Sequence, residues 1–180
     1  FELFASYQSY RSETAKASIP AVLKSVFFWD INKNKESRPI AGLSACNETE
    51  ANAIVGLVGW LLRCGTPPSS ITIITPYKGQ KNLILRSLRT AKLIPQDFKT
   101  ESAGVVINVS TVDNFQGDEN DIVLLSLVRV SAGNRFIGLV NRFIVALSRA
   151  RVASFVIGSV SAVVGAEGRP GPKHWIDFVE

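Results

Sequence analysis

The stretch "VVINVSTVDNFQGDENDIVLLSLV", residues 105–128, decides the fold. Two runs rich in Val, Ile and Leu, 105–109 and 122–128, enclose "VDNFQGDEND" (112–121), which carries Gly117 and the carboxylates of Asp113, Asp118, Glu119 and Asp121. Runs this short and this continuously apolar are strands covered on both faces, the pattern of a parallel sheet sandwiched by helices. The chain therefore leaves one buried strand, presents charge, and enters another.

Working outward, "SVFFWD" (25–30), "ITIIT" (71–75) and "ASFVIG" (153–158) are further strand candidates. Between the first two, "NETEANAIVGLVGWLLRCG" (47–65) repeats Ala51, Ile54, Val55, Val58, Leu61 and Leu62 at helical spacing. Asn47 and Glu50 form a capping box at its start, and Gly65 with Pro67 and Pro68 ends it. A second helix is expected through "GQKNLILRSLRTAKL" (79–93). A third is expected through "VNRFIVALSRAR" (140–151), with Phe143, Ala146, Leu147 and Ala150 as its inward stripe. Alternating strands and helices predict an α/β fold, a mostly parallel sheet with helices on both faces. The expected divisions are an irregular lead-in over 1–24, one domain over 25–164, and a Gly/Pro linker with a short helix over 165–180, the helix running from His174 to Val179.

At 180 residues the chain accommodates one sizeable core. With 46% apolar and 19% charged residues, and no run of about 18 apolar residues, a soluble protein without a membrane partner is expected. The chain has no Met and opens on "FELFASYQSY" without the pattern of a secretory leader, so a piece of a larger protein is expected. Cys46 and Cys64 lack CxxC or Cys/His ligand spacing, which points to reduced thiols, an intracellular (cytoplasmic or nuclear) setting, and no metal site. The charge of 20 − 15 = +5 suits a polyanionic partner, although solvated helix faces account for most of the bases.

In an open α/β sheet ligands sit beyond the carboxyl ends of strands, so the loops there are the ones whose polar residues need a reason. "TPYKGQ" (75–80) offers the Thr75 hydroxyl, the Tyr77 ring and a helix start, a combination that suits a phosphate backbone with a base on an aromatic face; a plain strand-to-helix turn set by Pro76 explains it too. "VDNFQGDEND" is no EF-hand, because Gly117 falls fifth from Asp113 and the ligand alternation fails at Phe115. A glycine at Gly117 lets backbone approach a ligand while Glu119 accepts its hydrogen bonds; an ordinary solvated loop is the plainer alternative. In "NRFIVALSRAR", Arg142 and Arg149 share a helix side. The charge of Arg149 is favoured near the helix end in any case, yet a planar guanidinium at a ligand edge is what phosphoryl transfer requires.

These residues together resemble the second RecA-like domain of superfamily 1 helicases, in the branch of the up-frameshift helicase and senataxin. "ITIITPYKGQ" is similar to motif IV of that branch, "VSTVDNFQGDENDIVLLSLVR" to motif V, and "NRFIVALSRAR" with "FVIGS" to motif VI. "SACNETEAN" has its counterpart as well, and the wording is closest to NFX-type zinc-finger helicases, a subgroup linked with RNA silencing. The resemblance covers about residues 25 to 160.

It implies a RecA-like fold and the carboxy-terminal motor half of an ATP-dependent RNA helicase, with a role in RNA silencing or surveillance. By that resemblance Gly117 and Glu119 lie against ATP and Arg149 is the arginine finger. Thr75, Pro76, Tyr77 and Gln80, with Ser110, Thr111 and Val112, line the single-stranded RNA or DNA track, while Asp113 and Asn114 support the motif V loop. Mg2+, the phosphate-loop lysine and its acidic partners belong to a first RecA-like domain, consistent with the lack of GxxxxGK[ST] and GxGxxG here, so this chain alone is not expected to hydrolyse ATP. Two departures stand out: Ile144 occupies a position where the branch often has Asn, and no QYRMHP-type segment is present. A non-enzymatic RecA-like module that recruits a protein partner is the alternative, and a nucleic-acid-binding domain without ATP dependence is a third.

Overall fold

A computed structural model of the chain describes residues 25–31, 36–37, 44–95, 106–130, 147–166 and 169–179. Five strands, β1 (Val26–Asp30), β4 (Ile71–Thr75), β5 (Asn108–Thr111), β6 (Asn120–Ser126) and β7 (Ala150–Gly158), form one sheet in the order β1-β7-β6-β4-β5. Every pairing in it is parallel, which the continuous apolar runs predict. Two small antiparallel pairs accompany it, β2 (Glu36–Ser37) with β3 (Cys46–Asn47) and β8 (Gly165–Ala166) with β9 (Arg169–Pro170).

Alternate residues of each strand divide the core in two. On one face Ile71, Ile73, Ile122, Leu124, Phe155 and Ile157 pack against α1 (Glu48–Arg63) and α2 (Lys78–Thr90), through Ile54, Val58, Leu61, Ile84 and Leu88. On the other face Ile74, Val123, Leu125 and Val156 pack with Leu147, with Val163 of α3 (Val160–Val164) and with Trp175 of α4 (Lys173–Val179). Trp175 is completely buried. The short helix expected after the Gly/Pro segment therefore packs onto the domain, because its Trp175 belongs to the second core.

Both long helices appear where periodicity placed them. Asn47 caps α1 by accepting the Glu50 N–H at 3.1 Å, and Gly65 follows the helix at φ +85°, the left-handed conformation that glycine adopts without steric cost. Gly79 has a packing role: a Cβ there would meet the Ser44 carbonyl oxygen at 2.9 Å, and its N–H donates to Ser44 Oγ at 2.9 Å.

Three boundaries shift. β5 begins at Asn108 rather than residue 105, and β6 begins at Asn120 rather than 122. The third helix ends earlier than its apolar stripe suggests: Leu147 is helical, but Ala150 and Arg151 already belong to β7. Ala150 is fully buried as a strand residue, as the inward stripe of a helix would also have it, so its apolar character alone does not separate the two. Arg142, Phe143, Ile144 and Ala146 lie outside the described residues.

Candidate nucleotide and nucleic-acid edges

The strand register lines up the carboxyl ends. Thr75 pairs with Thr111, Ile74 with Leu125 one step before Ser126, and Ser126 with Ile157. Thr111, Thr75 and Ser126 therefore form a row at one edge of the sheet. From Thr111 the chain crosses to the opposite edge over residues 112–119, because β6 runs parallel to β4 and must start again at the amino end.

That crossing is a helical turn. Phe115 N–H donates to Thr111 O at 3.0 Å, and Asp118 N–H to Phe115 O at 3.3 Å. Val112 and Phe115, three apart, turn inward and are each 2% exposed. Asp113, Asn114, Gln116, Gly117, Asp118 and Glu119 consequently face outward. Gly117 holds φ +96° with open space where a Cβ would stand, so its backbone conformation, rather than crowding, calls for glycine.

Gly117, Glu119 and Arg149 all precede their strands, at the amino ends of β6 and β7. This corrects the expectation of a carboxyl-edge site for them: the motif V loop traverses the sheet, and Arg149 comes before β7, not after a strand. Asn120 pairs with Ala150, and Asn120 N–H donates to Arg149 O at 3.0 Å, which brings the neighbouring Glu119 and Arg149 together. Arg151 Nε reaches Asp121 at 2.9 Å and its Nη1 reaches Glu119 at 3.4 Å. Ser70 Oγ donates to the other Asp121 oxygen at 2.9 Å. Arg149 is half-buried, and its Nε is enclosed without a hydrogen-bond partner among the described residues. A guanidinium donor left unpaired among the described residues, just before the strand that pairs with the one following the glycine turn, is chemically suited to an anionic oxygen. Among the described residues no cluster of three His, Cys, Asp or Glu could hold a metal ion.

At the carboxyl edge the expected strand-facing residues separate into two groups. Pro76 and Tyr77 are half-buried; Arg129 Nε lies 3.3 Å from the Tyr77 hydroxyl, with its guanidinium carbon 5.4 Å from the ring centroid. Thr75, Ser110 and Thr111 are buried along the edge, and the Thr75 hydroxyl has no hydrogen-bond partner among the described residues. Gln80 and Val112 do not fit a track-lining role by their side chains. Val112 belongs to the second core, and Gln80 is completely buried. Its Oε1 accepts from Asn47 N–H at 2.7 Å, while Nε2 donates to Asn47 O and Ser126 Oγ, both at 3.0 Å.

Glu50 is the residue that motif reading missed. The capping box forms only by half: Glu50 reaches across to β6 instead of back to the Asn47 backbone. Its carboxylate accepts the Val128 N–H at 2.9 and 3.0 Å, Ser126 Oγ–H at 2.6 Å, and Asn47 Nδ2 at 3.3 Å. Burial raises its pKa from 4.5 to about 7, against the opposing pull of the hydrogen bonds from Ser126, Val128 and Leu127. The available signal was Ser126 itself, a lone hydroxyl in a strand otherwise apolar from Ile122 to Val128, which demands a buried partner.

The chain matches the AAA domain family over residues 4–161. It is 36% identical over 160 residues to NFX1-type zinc finger-containing protein 1 of Homo sapiens, covering 88% of this chain and 8% of that protein. It is 37% identical over 144 residues to Regulator of nonsense transcripts 1 homolog of Arabidopsis thaliana, covering 78% and 11%. It is 39% identical over 129 residues to Helicase required for RNAi-mediated heterochromatin assembly 1 of Schizosaccharomyces pombe, covering 71% and 12%. The chain thus spans only a small part of the length of each relative.

Proposed function

This chain belongs to that AAA domain family, within the superfamily 1 helicases of the up-frameshift and senataxin branch, and on that premise we propose that it is the carboxy-terminal motor half of an ATP-dependent RNA helicase. The observation that carries the reading is the register that joins Asn120 to Arg149 and so gathers Gly117, Glu119 and Arg149 at one edge of the sheet. The opposite edge holds Thr75, Pro76, Tyr77, Ser110 and Thr111.

In this reading Gly117 and Glu119 meet ATP held by a first RecA-like domain, which also supplies the phosphate-loop lysine and the ligands of Mg2+. Arg149 neutralises charge that develops on the transferring phosphoryl group. Closure of the two domains around ATP and their release after hydrolysis move the Thr75 and Thr111 edge along single-stranded RNA. The Gln80 side chain anchors this edge from inside, and Val112 contributes through its backbone. The names of relatives that act on nonsense transcripts and in RNAi-mediated heterochromatin assembly favour a role in RNA surveillance or silencing.

The test is ATP hydrolysis by the full-length protein with and without single-stranded RNA, comparing wild type, Arg149→Ala and Glu119→Ala. RNA-stimulated turnover in wild type and its loss in both folded variants is the expected result. Wild-type turnover in Arg149→Ala removes the arginine-finger assignment. No turnover in wild type with RNA or single-stranded DNA overturns the motor reading in favour of a protein-recruiting module.

A further inference from the structure

The sharpest backbone irregularity in the sheet lies at the end of β6. Val128, a β-branched residue, holds φ +72°, and Arg129 N–H closes back on Leu127 O at 2.8 Å. That is a γ-turn of the rare positive-φ kind, a conformation that persists only where its surroundings over-determine it. Here they do. Both oxygens of Glu50 accept the Val128 N–H, and Asn47 Nδ2 donates to Val128 O at 3.1 Å. The peptide groups on both sides of the strained residue are thus clamped from the start of α1.

The same cluster reaches the loop at Tyr77. Gln80, in the first turn of α2, bonds to Asn47 and Ser126, and Tyr77 is the residue that caps that helix. Three elements far apart in sequence therefore share one buried polar knot: the start of α1, the start of α2 and the end of β6. All four of its residues, Asn47, Glu50, Gln80 and Ser126, are completely buried. What emerges from the knot at the sheet's carboxyl edge is a pair, Arg129 lying against the Tyr77 ring and hydroxyl.

We propose that Arg129 is a phosphate-contacting residue of the single-stranded RNA track, and that Glu50 is its positioning residue, acting through the γ-turn at Val128. The proposal rests on the helicase reading above and adds to it a residue pair outside the expected track. Strain held by a buried clamp is accounted for if the turn must aim one side chain; a strand that merely ended here would need neither the positive φ nor the carboxylate. A guanidinium braced against an aromatic ring is already ordered, so less freedom is lost when it takes a phosphodiester.

The test uses the full-length protein and a single-stranded RNA oligonucleotide, with affinity measured across a salt series. Arg129→Ala is expected to weaken binding about tenfold and to lower the salt slope by about 0.7, the share of one phosphate contact on a single strand. Glu50→Ala is expected to weaken binding on the order of threefold, with Glu50→Gln recovering part of that loss because it keeps one acceptor for the Val128 N–H. The deciding measurement is the double variant. If Glu50 acts through Arg129, Glu50→Ala costs no further affinity once Arg129 is Ala; if the full loss persists there, Glu50 serves only the fold and the positioning role is overturned. Should Glu50→Ala not fold, the same cycle is read with Glu50→Gln. Arg129→Ala with wild-type affinity and salt slope overturns the proposal while RNA-stimulated turnover in wild type still upholds the helicase reading; wild-type protein that binds no RNA overturns both.

Discussion

The two edges of the sheet are built on opposite principles. At the amino edge the charges of Glu119 and Arg151 are exposed, their side chains 59% and 52% accessible, and pair at 3.4 Å, while half-buried Asp121 accepts from Arg151 and Ser70. At the carboxyl edge the polar groups of Asn47, Glu50, Gln80 and Ser126 are fully buried and bonded to one another. Exposed ion pairs exchange partners at little cost, whereas buried polar groups lose the full desolvation cost when a partner leaves. The first arrangement suits a ligand that comes and goes with each turnover. The second suits a surface whose geometry must stay constant while a strand passes over it.

The largest expected effect tests the amino edge. Arg149→Ala in the full-length protein should reduce ATP turnover by about 10³- to 10⁵-fold with little change in thermal stability; a large stability loss instead would make Arg149 part of the scaffold and erase the contrast. Next, Glu50→Ala should destabilise the fold by roughly 3–5 kcal/mol, since it strands the Val128 N–H and leaves a cavity, as read by denaturant unfolding.

A pH series sharpens the same contrast. Burial raises the Glu50 pKa from 4.5 to about 7, so the folded state holds the proton more tightly than the unfolded state. Its favourable contribution is complete below about pH 4.5 and is lost as pH rises through about 7, an effect of up to about 3 kcal/mol. Glu50→Gln should flatten stability over that window, and a pH profile identical to wild type would show that Glu50 titrates normally. The smallest effect is expected of Arg151→Ala. Its two exposed pairs should be worth less than about 1 kcal/mol, so an unfolding midpoint close to wild type is the outcome that fits a loosely held edge.

Legibility in the sequence followed the same division. Gly117 and Glu119 stood out because charge and glycine interrupt apolar runs, and Arg149 because a guanidinium stood near a helix end at the sheet's expected ligand edge. Gly117 and Glu119 are exposed, and the Arg149 Nε is enclosed without a partner among the described residues. Glu50 did not stand out, and Gln80 stood out for the strand track rather than for the buried role its side chain takes. Glu50 looked like half of an ordinary capping box, since Asn47 lies three residues before it, and the partner that redirects its carboxylate, Val128, is 78 positions away. Gln80 was expected to face the single-stranded track from a helix start, where nothing local announces that Asn47, 33 positions away, lies against it.

Local periodicity alone determined that the chain is an α/β domain with strands covered on both faces, where its long helices run, and that the motif loops break from buried strands. Which edge each loop occupies was decided only in three dimensions. The parallel return from β5 to β6 carries Gly117 and Glu119 to the amino end of the sheet, where the pairing of Asn120 with Ala150 sets the end of that loop against the backbone of Arg149. The physical reason is range: a residue's burial is written in the few neighbours that share its face, whereas strand order, register and buried polar partners arise from contacts between segments that the sequence keeps far apart.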